Sequence, residues 1–147
     1  MAHVIIDGYN VIRNIQRFRN AEAESLEEGR HALLFELEEY GAVTGYEILV
    51  VFDGAGAPIL ETGELPNLES FAGVDVLFSR RGKCADSEIL RQIEKKKEFF
   101  SSNGTCSDIV VITRDNPLKD EAVKRGAFTL PPEKLDDAMR LKIMLSY

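Results

Sequence analysis

Residues 47–53, EILVVFD, place five apolar side chains in a row between two carboxylates. A run this short, rich in β-branched and aromatic residues and without polar alternation, reads as a strand covered on both faces, as in a parallel sheet flanked by helices. Working outward, the same pattern recurs as HVIID at 3–7, VDVLFS at 74–79 and DIVVITRD at 108–115. Helical stretches lie between these runs. Ser25 and Glu28 have capping-box spacing, and Leu26, Leu33, Leu37 and Tyr40 then repeat near the helical period, with Leu34 widening the stripe until Gly41 to Gly45 ends it. A second helix is predicted from about Ala85 to Ser101, with Ile89, Ile93 and Phe100 inward and Lys95 to Lys97 outward. Asn116-Pro117 has the cap-then-proline order of a helix start. That helix runs to Gly126, AFTL at 127–130 is a short strand, and Pro131 or Pro132 opens a last helix containing Leu135, Met139 and Ile143. A short helix from Tyr9 to about Phe18 follows the first strand, and 54–73, rich in Gly and Pro, is expected to be a loop with a short helix. Strands alternating with helices imply βαβ units with right-handed crossovers. The expectation is therefore an α/β fold on a parallel sheet, one domain over 1–147.

The chain has 147 residues, 44% of them hydrophobic and 29% charged, ordinary values for a globular domain with a substantial core. No apolar run approaches a membrane span. The segment MAHVIIDGYN enters a strand with no basic leader, so a cytoplasmic location is expected, with no membrane partner. Cys84 and Cys106 form no C-x-x-C pair and are expected to be reduced, structural thiols. His3 and His31 lack partners at metal spacing. A net charge of −7 argues against a nonspecific polyanion binder. Local potential counts for more, and Arg13, Arg17 and Arg19 cluster, as do Arg80, Arg81 and Lys83.

Function is suggested by what ends the strands. Asp7, Asp53 and Asp115 each follow an apolar run, and Asp86 opens the helix after VDVLFS. Strand C-termini share one edge of an open α/β sheet, where ligands bind. Four carboxylates gathered there would raise one another's pKa unless a cation compensates them. A hard divalent ion with oxygen ligands, Mg²⁺ or Mn²⁺, is the natural compensation and points to phosphoryl chemistry. Each residue alone has a structural alternative. Asp7 and Asp53 both precede glycine, as turn residues do, Asn10 is a possible helix cap, Asp86 suits a helix start, and Asp115 suits an N-cap. Thr113 and Arg114 either contact a ligand or close the strand. Arg80, Arg81 and Lys83 around Gly82 could hold a phosphate backbone or form a solvated loop. No G-x-S-x-G or Walker A motif is present.

In this order, IIDGYNVI, VVFDGAG, VLFSRRGKCADSEI, IVVITRDN and GAFTLPPEKL resemble the NYN family of PIN-like ribonucleases, in particular its YacP-like branch. The resemblance spans nearly the whole chain. It implies a three-layer α/β/α sandwich whose five strands are ordered 3-2-1-4-5, with Asp7 and Asp115 astride the point where strand order reverses. It also implies internal cleavage of RNA with Mg²⁺ or Mn²⁺, in some branches on ribosome-associated RNA. Carried onto this chain, Asp7, Asp86 and Asp115 fall on the family's acidic positions. Asp53 falls on an aspartate shared with flap-endonuclease-like enzymes, and Asn10 on the asparagine of D-G-Y-N. Leu90 stands where relatives often carry a glutamate, and Arg114 where small polar residues are frequent.

The expected activity is a metal-dependent endoribonuclease. Asp7, Asp86 and Asp115, with Asp53 directly or through water, would hold the metal, and Asn10 would fix a carboxylate or a phosphate oxygen. Arg80, Arg81, Lys83, Arg13 and Arg114 would hold RNA. The alternative is a catalytically silent RNA- or ribosome-binding module, motivated by Leu90. A small-molecule phosphatase ranks last, because D-G-Y-N lacks the second aspartate of the common aspartyl-phosphate type.

Overall fold

The computed structural model describes residues 2–54, 69–71, 73–79 and 84–147. Chain order is β1 (Ala2–Asp7), α1 (Gly8–Asn14), α2 (Gln16–Glu22), α3 (Leu26–Thr44), β2 (Glu47–Phe52), β3 (Glu69–Phe71) and β4 (Val74–Phe78). It continues with α4 (Ala85–Asn103), β5 (Asp108–Ile112), α5 (Asn116–Lys124), β6 (Phe128–Leu130) and α6 (Pro132–Leu141). The sheet order is β3-β4-β2-β1-β5-β6. All neighbours are parallel except the edge pair β3–β4. The five parallel strands thus stand in the expected order, and β1 and β5 flank the reversal.

Both faces of the sheet are covered, which is why its central strands carry no polar alternation. Val4 and Ile6 of β1, with Val50 and Phe52 of β2, pack into a core closed by Leu33, Leu37 and Leu135. Ile5, Leu49, Val51 and Val111 point the other way, onto Ile89 and Ile93 of α4 and Leu118 of α5. The strand ends on either side of β1 are therefore held by two independent layers. Arg17 ties the first layer together, donating to Glu36 at 2.8 and 2.7 Å and to Asp136 at 2.6 Å across α2, α3 and α6.

Several boundaries depart from expectation for local reasons. The single helix expected from Tyr9 to Phe18 is two, broken at Ile15, whose extended backbone (φ −124°, ψ 120°) lets its side chain reach the core. Asp115, rather than Asn116, caps α5, accepting from Leu118 N at 2.9 Å, so Pro117 falls on the second helical residue. The last helix ends at Leu141, because Lys142 turns left-handed (φ 54°), and Ile143 lies beyond it, half exposed. Its carbonyl instead accepts from the Tyr40 hydroxyl at 2.7 Å. β3 is a short antiparallel strand within the stretch expected to be a loop; the short helix expected there falls, over 55–68, outside the described residues. Ser25 does cap α3, accepting from Glu28 N at 3.0 Å. Cys84 and Cys106 are free, as expected, but both are exposed and so are not packed core thiols.

Candidate functional site

Asp7 ends β1, and the chain turns at once into α1. Gly8 makes this turn possible, because a Cβ there would sit 2.4 Å from two ring carbons of Phe52. Only a bare backbone lets α1 begin this close to β2. Asp7 occupies the cap position of α1, yet its side chain makes no capping bond. Instead it is buried, and its Oδ2 accepts from Thr113 Oγ1 at 2.9 Å across the β1–β5 boundary. The turn-residue account of Asp7 therefore fails to explain its side chain.

Thr113, itself fully buried, is shared between two carboxylate-bearing segments. Its Oγ1 donates to Asp7 and accepts from Asp115 N at 3.1 Å. Asn10 lies inside α1 rather than at its cap, and its Oδ1 accepts from Arg114 N at 2.8 Å. These bonds clamp the ends of β1 and β5 at the switch point. On the other side of β1, Ser79 N donates to Phe52 O at 2.9 Å and Ser79 Oγ accepts from Gly54 N at 2.8 Å, fixing the turn that carries Asp53. Thr113 was legible as a residue next to the strand end, but Ser79 carried no signal in the sequence beyond being a buried polar group at a strand terminus.

One open cleft of about 350 Å³ lies at this edge, lined by Asp7, Asp53 and Asp86 together with Tyr9, Asn10, Arg13 and Asn14. Asp115 is not among the residues that line it, yet its charge acts on both Asp7 and Asp86. Burial pushes the Asp7 carboxyl up from 3.8 to about 6, the Thr113 hydrogen bond opposes this, and the charges of Asp86 and Asp115 add to it. Arg13 pulls in the opposite direction. Asp86, in the first turn of α4, is also raised, first by burial and then by Asp115 and Asp53. The carboxylates thus feel one another, as the spacing of the strands requires.

The cluster is open. Among the described residues, no three acidic, histidine or cysteine side chains are gathered tightly enough to hold an ion by themselves. The donor set of hard oxygens suits Mg²⁺ or Mn²⁺, which commonly keep several waters and bind through one or two carboxylates plus substrate phosphates. Leu90 adds no acid, since it is half-buried against the apolar layer beneath α4. Glu88 bonds instead to Arg91 at 2.7 Å and Gln92 at 3.0 Å.

The basic residues divide three ways. Arg13 lines the cleft, its guanidinium 5.2 Å from the centre of the Tyr9 ring and its Nε 3.3 Å from Glu22. The Arg114 side chain pairs with Glu133, so only its backbone joins the site. Arg80, Arg81 and Lys83 lie outside the described residues. Tyr9 adds a buried polar anchor that sequence reasoning missed: its hydroxyl accepts from Arg30 at 2.9 Å.

The model of YacP-like NYN domains matches residues 4–143. The protein YacP of Bacillus subtilis (strain 168), described as uncharacterized, is 30% identical over 112 residues, 76% of this chain. The chain spans 59% of that relative's length. Two crystal structures of Rae1 (YacP) from Bacillus subtilis are similar over 97% of this chain. One, of the W164L mutant, has a TM-score of 0.76 at 24% identity over 77% of its own chain. The other has 0.75 at 27% identity over 75%.

Proposed function

The chain belongs to the YacP-like NYN domains, a nuclease-like family, and from that premise we propose that it is a divalent-metal-dependent endoribonuclease. The observation that carries this reading is the buried Asp7 carboxylate, which shares a cleft with Asp53 and Asp86 and feels Asp115 beside it. A structural role gives no reason to concentrate that repulsion at a topological switch point.

Bound at these oxygens, Mg²⁺ or Mn²⁺ would polarise the scissile phosphate and lower the pKa of an attacking water. The protein's own groups prepare the site. Thr113 holds Oδ2 of Asp7, and Oδ1 accepts no hydrogen bond among the described residues, which leaves it for a ligand. Leu118 N holds Asp115 Oδ1. The Arg114 amide only donates, so it fixes which end of the Asn10 side chain is oxygen and leaves the NH₂ end as a donor that could serve a phosphate oxygen. Among the described residues Arg13 is the basic side chain that lines the cleft, and Arg80, Arg81 and Lys83 are the further candidates for the RNA backbone. The net charge of −7 fits an enzyme that reaches RNA within an assembly such as the ribosome, in the cytoplasm.

Leu90 and the open carboxylate cluster favour one rival, a silent RNA- or ribosome-binding module. Incubating labelled structured and single-stranded RNAs with the protein in Mn²⁺, Mg²⁺ or EDTA separates the two. Internal cutting that EDTA stops is the expected result. RNA binding without cutting in either metal would select the silent module.

A further inference from the structure

Arg13 is held at two points by groups that a surface ion pair does not need. It stands one helical turn after Tyr9 on α1, and both residues line the cleft. Its guanidinium lies over the Tyr9 ring, 5.2 Å from the centre. That ring is itself fixed, since its hydroxyl accepts from the buried Arg30 at 2.9 Å and the Phe52 ring packs 5.0 Å away. From the end of α2, Glu22 Oε1 accepts from Arg13 Nε at 3.3 Å. Nη1 and Nη2 make no ion pair among the described residues, and the charge of Arg13 reaches Asp7.

Glu22 itself is placed unfavourably. Its side chain is 17% exposed, against 59% for Arg13, and its Oε2 is buried without a hydrogen bond among the described residues. The close approach of α2 to α3 that buries it depends on Gly29, where a Cβ would stand 2.9 Å from Glu22 Cβ. An ion pair with so exposed a partner contributes little stability, while a buried oxygen without a donor is destabilising. Stability therefore does not account for the pair. Orientation does, because the ring face and the acceptor at Nε together leave the Nη1–Nη2 edge as a fork of parallel donors.

We propose that Glu22 is a positioning residue, which holds Arg13 against the Tyr9 ring and aims its terminal fork at one phosphate of a single-stranded RNA at the cleft. The ligand rests on the ribonuclease reading, and the inference adds how its backbone is gripped. Two parallel N–H groups match two phosphate oxygens. The tether also answers a problem that the cleft creates. Asp7, Asp53 and Asp86 line it too, and an untethered arginine would be drawn onto those carboxylates, into the place of the metal.

Glu22→Gln and Glu22→Ala carry the same charge, and only glutamine keeps an acceptor for Nε, so comparing them isolates the tether from the loss of an acid. The readout is the Kd for a labelled single-stranded RNA hexamer in EDTA, by fluorescence anisotropy over a range of salt. With Arg13 present, Glu22→Ala should bind at least about threefold more weakly than Glu22→Gln, within the range by which contacting residues couple. In an Arg13→Ala background the two should bind equally, which a general structural role of Glu22 would not produce. Arg13→Ala alone should lower the slope of log Kd against log salt by roughly 0.7, the share of one phosphate on a single strand. Equal Kd values with Arg13 present, the same ratio without it, an unchanged salt slope, or no binding by wild type would each overturn the tether. Cleavage in Mn²⁺ is scored separately. If wild type binds with the expected pattern and cuts nothing, the ribonuclease reading falls and the positioning role stands.

Discussion

Replacing Asp7 by asparagine should stabilise the protein, and only above a definite pH. The Asp7 carboxyl is raised from 3.8 to about 6 in the folded state, chiefly by burial. Between those values the folded chain holds a proton that the unfolded chain has released, so stability falls as pH rises through this window. Above pH 6 the full cost of the buried charge applies, roughly 3 kcal/mol from the size of the displacement. Asparagine removes the charge and keeps an oxygen to accept from Thr113 Oγ1, but it places an amide NH₂ where Asp7 Oδ1 lies. A net gain of about 1–2 kcal/mol at pH 8 follows, or roughly 3–8 °C in Tm for a chain of this size. Below about pH 4 the gain should vanish, because both wild-type states are then protonated. Metal-free unfolding of wild type and Asp7→Asn by urea, at steps from pH 4 to pH 8, measures this directly. A variant less stable than wild type at pH 8, or a difference that does not grow with pH, would refute the account of Asp7 as a buried, uncompensated charge.

Three further outcomes follow from the same geometry. Mn²⁺ should raise the Tm of wild type at pH 7.5 and not that of Asp7→Asn; at one hundred times Kd the gain is about 2.7 kcal/mol, and calorimetric scans with and without the ion decide it. Thr113→Val removes the donor to Asp7 Oδ2 and the acceptor of Asp115 N, so denaturant unfolding at pH 8 should show a loss of about 2 kcal/mol, shrinking at pH 5 as Asp7 takes up its proton. Gly8→Ala drives a methyl group to within 2.4 Å of the Phe52 ring, and should cost about 1–3 kcal/mol at both pH values, since no titration is involved.

The fold was legible because the physics that writes it is local. Unbroken apolar runs such as 48–52 mark strands buried on both faces, and Ser25 with Glu28 marks a helix start. Where tertiary contacts overrode local pattern, the sequence was silent or misleading. Ile15 breaks a helix to reach the core, Lys142 stops α6 one residue before Ile143, and the three residues of β3 pair only because β4 offers them an edge. The carboxylates were legible because strand C-termini share an edge by topology. Their support was not. Thr113 bonds a residue 106 positions away and Asn10 one 104 positions away, distances no spacing rule spans. Arg114 illustrates the converse: its basic charge invited a ligand role, while Glu133 from the start of α6 pairs with its side chain.

The central claim, that the strand-end carboxylates cut RNA, is tested most directly by the single-turnover cleavage rate of one labelled RNA in saturating Mn²⁺, comparing wild type with Asp86→Asn. Asp86 lies half-buried in the first turn of α4, where asparagine can stand without disturbing the fold. A rate lowered by about a hundredfold or more, equivalent to roughly 3 kcal/mol of transition-state stabilisation, with Tm unchanged or higher, is the result this account predicts. Equal rates for the two proteins would contradict it.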